Sequence, residues 1–168
     1  MSTRPGDTPY PVDPVFPHAA LAGADWADAF EVRIFFRPRD AEEAARRVLG
    51  PMPGWAKWLL ALRNRLGALV GLKPAAAGQS GGAASMIGPF PVVEARPDEV
   101  VLGFDDWHLN FRIVITLAHD QEGAQRLRAT TLVKRHNIAG RLYLAAVLPF
   151  HKVIVRSTLK GASAPAAR

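Results

Sequence analysis

The chain has 168 residues, 49% of them hydrophobic, and its 21 basic and 15 acidic side chains give a net charge of +6. That length suits one domain able to bury about two-thirds of its unfolded surface, and the lack of any cysteine excludes disulfides, thiolate zinc sites, iron–sulfur clusters and cysteine nucleophiles. The positive charge favours anionic partners, but the basic residues are dispersed from Arg33 to Arg135 and do not cluster among aromatics, which argues against a nucleic-acid reader.

Residues 1–23 carry prolines at positions 5, 9, 11, 14 and 17 and read as an extended arm. No run of about 18 uninterrupted apolar residues suggests a spanning helix, nor is there the apolar stretch of a signal peptide, so the expected location is the cytoplasm. The domain proper is expected over residues 24–160, followed by a disordered tail at 161–168.

WADAFEVRIF, residues 26–35, is aromatic-rich and partly alternating, the pattern of a half-buried strand. Pro38 breaks it. Asp40, with Glu43 three residues on, makes an N-cap for the helix-forming run DAEEAARRVLG, which Gly50 and Pro51 end. GWAKWLLALRNRLGALVGLK follows with Trp55, Trp58, Leu59, Leu62, Leu66, Leu69 and Val70 at steps of three and four. This predicts an amphipathic helix over 54–72, whose basic opposite face suits either packing on a sheet or lying on an anionic membrane surface. Residues 73–86 are small and aperiodic, a loop or flap.

Strand-like segments then occupy 87–95, 99–104, 108–119 and 125–136, separated by turn-forming residues at 96–98, 105–106 and 120–123. Short links between successive strands predict an antiparallel meander. Within 108–119, Leu109, Phe111, Ile113, Ile115 and Leu117 point one way and His108, Asn110, Arg112, Val114 and Thr116 the other, giving one greasy and one polar face. A long apolar helix is expected from Asn137, its N-cap, to about residue 160, kinked at Pro149 and interrupted by Arg141, His151, Lys152 and Arg156. Those charges make it too polar to span a bilayer but suited to lie across a sheet.

The motifs ADWADAF, GWAKWLLALRNRL, IGPFPVV, EVVLGFDDWHLNFR and HNIAGRLYLAAVLPFHKVIV resemble the bacterial domain-of-unknown-function family 2867 over residues 24–159. In layout that family is similar to the START and polyketide-cyclase superfamily (SRPBCC). The resemblance implies an α+β helix-grip fold, an antiparallel sheet wrapped around a long C-terminal helix, with a cavity between the two that commonly holds an apolar ligand. Members of the resembling family also occur joined to nucleotide-binding oxidoreductase domains, but this chain has no Gly-x-Gly-x-x-Gly after a strand.

Two polar clusters are candidates for function. Asp105, Asp106 and His108 could pair a carboxylate with an imidazole for proton transfer, with Asn110 and Arg112 on the same face. The preferred alternative is a hairpin turn with His108 and Arg112 on the solvated side. His136, Asn137, Gly140, Arg141 and Tyr143 form the second cluster, where Asn137 caps the helix and Gly140 permits close packing. Arg141 in the first helical turn opposes the macrodipole and is expected to meet Asp105, Asp106 or a ligand anion. A metal site from His108, His136 and Asp106 is not demanded by spacing, and no metal or other cofactor is expected.

The leading expectation is therefore a binding domain that holds a small apolar ligand or lipid, with Asp105, Asp106, His108, Asn110, Arg112, His136, Asn137 and Arg141 as its candidate site. The alternatives are a cyclase-like enzyme with Asp106 and His108 as acid and base in the same cavity, and a peripheral membrane or partner-binding protein acting through helix 54–72.

Overall fold

The structure, a computed structural model, describes residues 8–50, 85–119 and 123–162. The expected helix over 54–72 and almost all of the loop at 73–86 lie outside the described residues, as does most of the turn at 120–123.

Seven strands form one antiparallel sheet: β1 (Tyr10–Val12), β2 (Trp26–Arg33), β3 (Met86–Ile87), β4 (Phe90–Ala95), β5 (Glu99–Asp105), β6 (Leu109–His119) and β7 (Gln125–Arg135). Their spatial order is β1-β2-β7-β6-β5-β4-β3. Two helices accompany them among the described residues, α1 (Ala41–Leu49) and α2 (Ile138–Ala162). This is the α+β arrangement of sheet and long C-terminal helix expected of a helix-grip fold.

Local chemistry sets the element ends. Asp40 caps α1 through its side chain, which accepts from the Glu43 amide at 2.7 Å, and Gly50 closes the helix. The segment expected as one strand over 87–95 is two, because Gly88 adopts a φ of +58° and turns the chain between β3 and β4. Part of the amino-terminal arm is ordered into the sheet: β1 pairs with β2, and a 3₁₀ turn at Ala19–Leu21 follows it.

The register aligns one apolar face across the central strands. Trp26, Phe30 and Val32 of β2 stand beside Val133, Ala129 and Leu127 of β7, which in turn stand beside Phe111, Ile115 and Leu117 of β6. α1 covers one end of this face with Ala41, Ala44, Ala45 and Val48, and Leu159 near the end of α2 joins the same buried cluster. Full burial of one such leucine contributes roughly 1.5–3 kcal/mol.

The opposite face is less polar than alternation alone predicts. Val114 is fully buried there with Val101 and Leu132 beneath Leu21, because the 3₁₀ turn folds back over it. Nearer the β1 edge the face becomes ionic. The Tyr10 hydroxyl donates to Glu31 at 2.7 Å, and Arg126 and Arg128 bracket the same carboxylate at 3.3 and 3.0 Å.

Burial by itself would raise the Glu31 pKa, but the hydrogen bonds from Tyr10 and Arg128 and the two guanidinium charges outweigh it and hold the carboxyl below its ordinary value. A depressed carboxyl pKa stabilises the fold above the unfolded-state value, about 4.3, and that contribution disappears as pH falls through the folded value. Glu31→Gln is therefore expected to lower the melting temperature at pH ~7 by roughly 2–4 °C and to flatten its decline between about pH 5 and 3. Calorimetry of both proteins across that range checks the expectation.

Candidate functional site

The hairpin between β5 and β6 is built from the stretch FDDWHL. The Asp106 amide donates to the Leu109 carbonyl at 3.0 Å, closing the turn, while Asp106 Oδ1 accepts from the Trp107 amide at 2.7 Å. The turn reverses the expected burial, leaving Trp107 52% exposed and His108 only 1%. His108 thus does not sit on the solvated side. Its ring meets Tyr143 of α2 edge-on at 5.2 Å, and its Nδ1 stands 3.7 Å from Asp106 Oδ1.

The His108 backbone is equally engaged. Its carbonyl accepts from the His136 amide at 3.0 Å, and a Cβ on Gly140 would collide with that same oxygen, so glycine lets the first turn of α2 rest on the hairpin. Asn137 fastens the two together as expected of the cap, its Oδ1 accepting from the Gly140 amide and its Nδ2 donating to the Trp107 carbonyl, both at 3.1 Å.

The remaining candidates divide between surface and structure. Asp105 pairs at 2.8 Å with Arg112, whose guanidinium also donates to the Phe104 and Phe111 carbonyls. Arg112 is therefore tucked against the sheet and not on the solvated face. His136 Nε2 donates to Asn110 Oδ1 at 2.8 Å on the surface. Arg141 is exposed and does not meet Asp105 or Asp106; the carboxylate expected for it is taken by Arg112, which reaches Asp105 from the adjacent strand. Among the described residues no group of three or more His, Asp and Glu is placed to hold a metal ion.

A cavity of about 190 Å³ lies between the apolar sheet face and α2. Its wall carries five aromatic side chains, Trp26, Phe90, Phe104, Phe111 and Tyr143, and a larger set of aliphatic ones including Ile113, Val147 and Ile154. None of the eight sequence-predicted site residues lines it. The polar residues that do, besides Tyr143, are Thr131, His151 and Thr158.

His151 is held by a carboxylate of β2. Its Nε2 donates to both Asp28 carboxylate oxygens at 3.1 Å, and its ring stands edge-on to Trp26 at 5.7 Å. Asp28 occupies the apolar row of β2, opposite Thr131 of β7. Two local signals point to this pair: an acid within the inward alternation Trp26, Asp28, Phe30, Val32, and a histidine within the helical series Leu144, Val147, His151, Ile154, Thr158. Neither signal says that the two residues meet.

Comparison with known proteins gives one family. The model described as "Protein of unknown function (DUF2867)" matches residues 20–158. The chain belongs to the DUF2867 family. No curated protein and no solved structure matches it. In this DUF2867 chain the match runs from the 3₁₀ turn to Thr158, and so takes in the whole wall of the cavity apart from Leu159.

The packing of His108 predicts a structural loss on its removal. His108→Ala is expected to destabilise the fold by about 3 kcal/mol, the cost of emptying a buried ring position. Urea denaturation measures it, and a variant as stable as the parent would contradict the packing described.

Proposed function

We propose that the protein is a binding domain that holds a small apolar ligand between the sheet and α2. The cavity carries this reading. It is lined by side chains that are mostly hydrophobic, and a few polar groups are available to orient what enters. A cavity of about 150 Å³ lined by aliphatic and aromatic groups accepts benzene, so 190 Å³ suits a ring with a short chain. Neither Asp106 nor His108 lines the space, so the reading asks for no acid–base chemistry from them.

Val147 projects from α2 into this space without being part of the sheet core. Val147→Trp is expected to fill much of the cavity and weaken binding of butylbenzene at least tenfold in saturation-transfer NMR, with the circular dichroism spectrum kept. Undiminished binding would place the ligand elsewhere.

A second reading has its own observation. The outward side of α2 exposes Ile138, Leu142, Phe150 and Val153, with Arg141, Lys152 and Arg156 beside them and no acidic residue anywhere in the helix. Against the expectation that it is too polar, Ile138–Gly161 is long and apolar enough to cross a bilayer by length and composition alone, with a mean hydropathy of 1.5. Of its four basic residues, Arg141, Lys152, Arg156 and Lys160, only Arg141 lies in the first half, so the aliphatic residues there outweigh them. The other side of α2 packs on α1, β2 and β7. An apolar stripe flanked only by cations fits the surface of an anionic bilayer. Paired Lys152→Glu and Arg156→Glu changes should abolish sedimentation with phosphatidylglycerol vesicles at low salt, and the parent should not sediment with phosphatidylcholine alone; equal sedimentation with both lipids would refute this reading.

A further inference from the structure

Four polar side chains stand on the cavity wall, Thr131 from β7 and Tyr143, His151 and Thr158 from α2, and the last two mark hydrogen-bonding points on one helix face. His151 and Thr158 are seven residues apart, so they share one helix face about 10 Å apart along the axis. They differ in what they offer a ligand.

His151 presents an acceptor. A carboxylate accepts hydrogen bonds, so in the neutral imidazole the contact of Nε2 with both Asp28 oxygens selects the tautomer that carries its proton on that nitrogen and a lone pair on Nδ1. Thr158 presents a donor. Its residue is buried and its Oγ1 has no hydrogen-bond partner among the described residues. A helical threonine ordinarily satisfies its hydroxyl on a carbonyl three or four residues earlier, and a buried hydroxyl left unsatisfied is costly. Between the two points the wall is rich in aromatic faces, which favour a flat ring in offset or edge-on contact.

Resting on the reading of the cavity as a ligand site, we infer that its ligand is a monocyclic phenol with an oxygen-bearing side chain. The phenolic hydroxyl donates to His151 Nδ1, and a carbonyl or ether oxygen on the chain accepts from Thr158 Oγ1. Asp28 acts as a positioning residue, holding the imidazole in the tautomer that accepts. The ring occupies the space among Trp26, Phe111 and Tyr143.

Three probes of nearly equal shape test the inference: para-hydroxyphenyl butanone, phenyl butanone without the hydroxyl, and para-butylphenol without the ketone. On the parent protein the first is expected to bind about tenfold more tightly than either of the others, by isothermal titration calorimetry. His151→Leu should erase the advantage of the hydroxyl while keeping that of the ketone. Thr158→Val, which preserves shape, should do the reverse. Because the probe comparison needs only the parent protein, the test survives a His151 variant that fails to fold. Equal affinity for all three probes, still abolished by Val147→Trp, overturns the phenol assignment and keeps the cavity as a ligand site. Failure of all three to bind overturns both.

Discussion

The structure depends on how one apolar sheet face is covered. The inward side chains of β2, β7, β6 and β5 make a continuous hydrophobic surface, and α1 and α2 are the described helices that shield it. α2 is fixed at two places. At its start, Asn137 and Gly140 seat the first turn on the His108 hairpin, and near its end Leu159 enters the cluster formed with α1. Roughly 28 Å of helix lies between these anchors. The cavity lies between α2 and the sheet over part of that length.

This arrangement separates the polar groups into two kinds of work. The hairpin cluster of Asp106, His108, His136 and Asn137 joins elements, and its hydrogen bonds end on backbone or on neighbouring side chains within the junction. His151 stands on the cavity wall, part of the lining of an apolar space, and Asp28 holds its ring from β2. A mostly buried carboxylate held by an imidazole is a weak way to stabilise a fold, since desolvation offsets much of the attraction.

Much of the architecture was legible in the sequence because its signals are local. The alternation of Leu109, Phe111, Ile113, Ile115 and Leu117 gives β6 and its inward face, Asp40 and Asn137 mark helix starts, and Gly140 marks a close approach. What stayed hidden depends on contacts between distant segments. Val114 is buried because Leu21, far away in sequence, lies over it. His108 is buried because the turn after Asp105 rotates Trp107 outward in its place, an inversion that polar composition around the turn conceals. Asp105, one of the partners expected for Arg141, is instead held by Arg112, which reaches it across the strand pair. The meeting of Asp28 with His151 joins residues 123 positions apart, and neither neighbourhood announces it.

The lengths of the strands have a further consequence. β6 and β7, each of 11 residues, lie in the interior of the sheet, while the described margins are β1 with three residues and β3 with two. Proline at position 11 withholds one backbone donor from the β1 margin. Such short, interrupted borders are poor templates for another chain to extend the ladder, which disfavours fibril growth and strand exchange along these described margins.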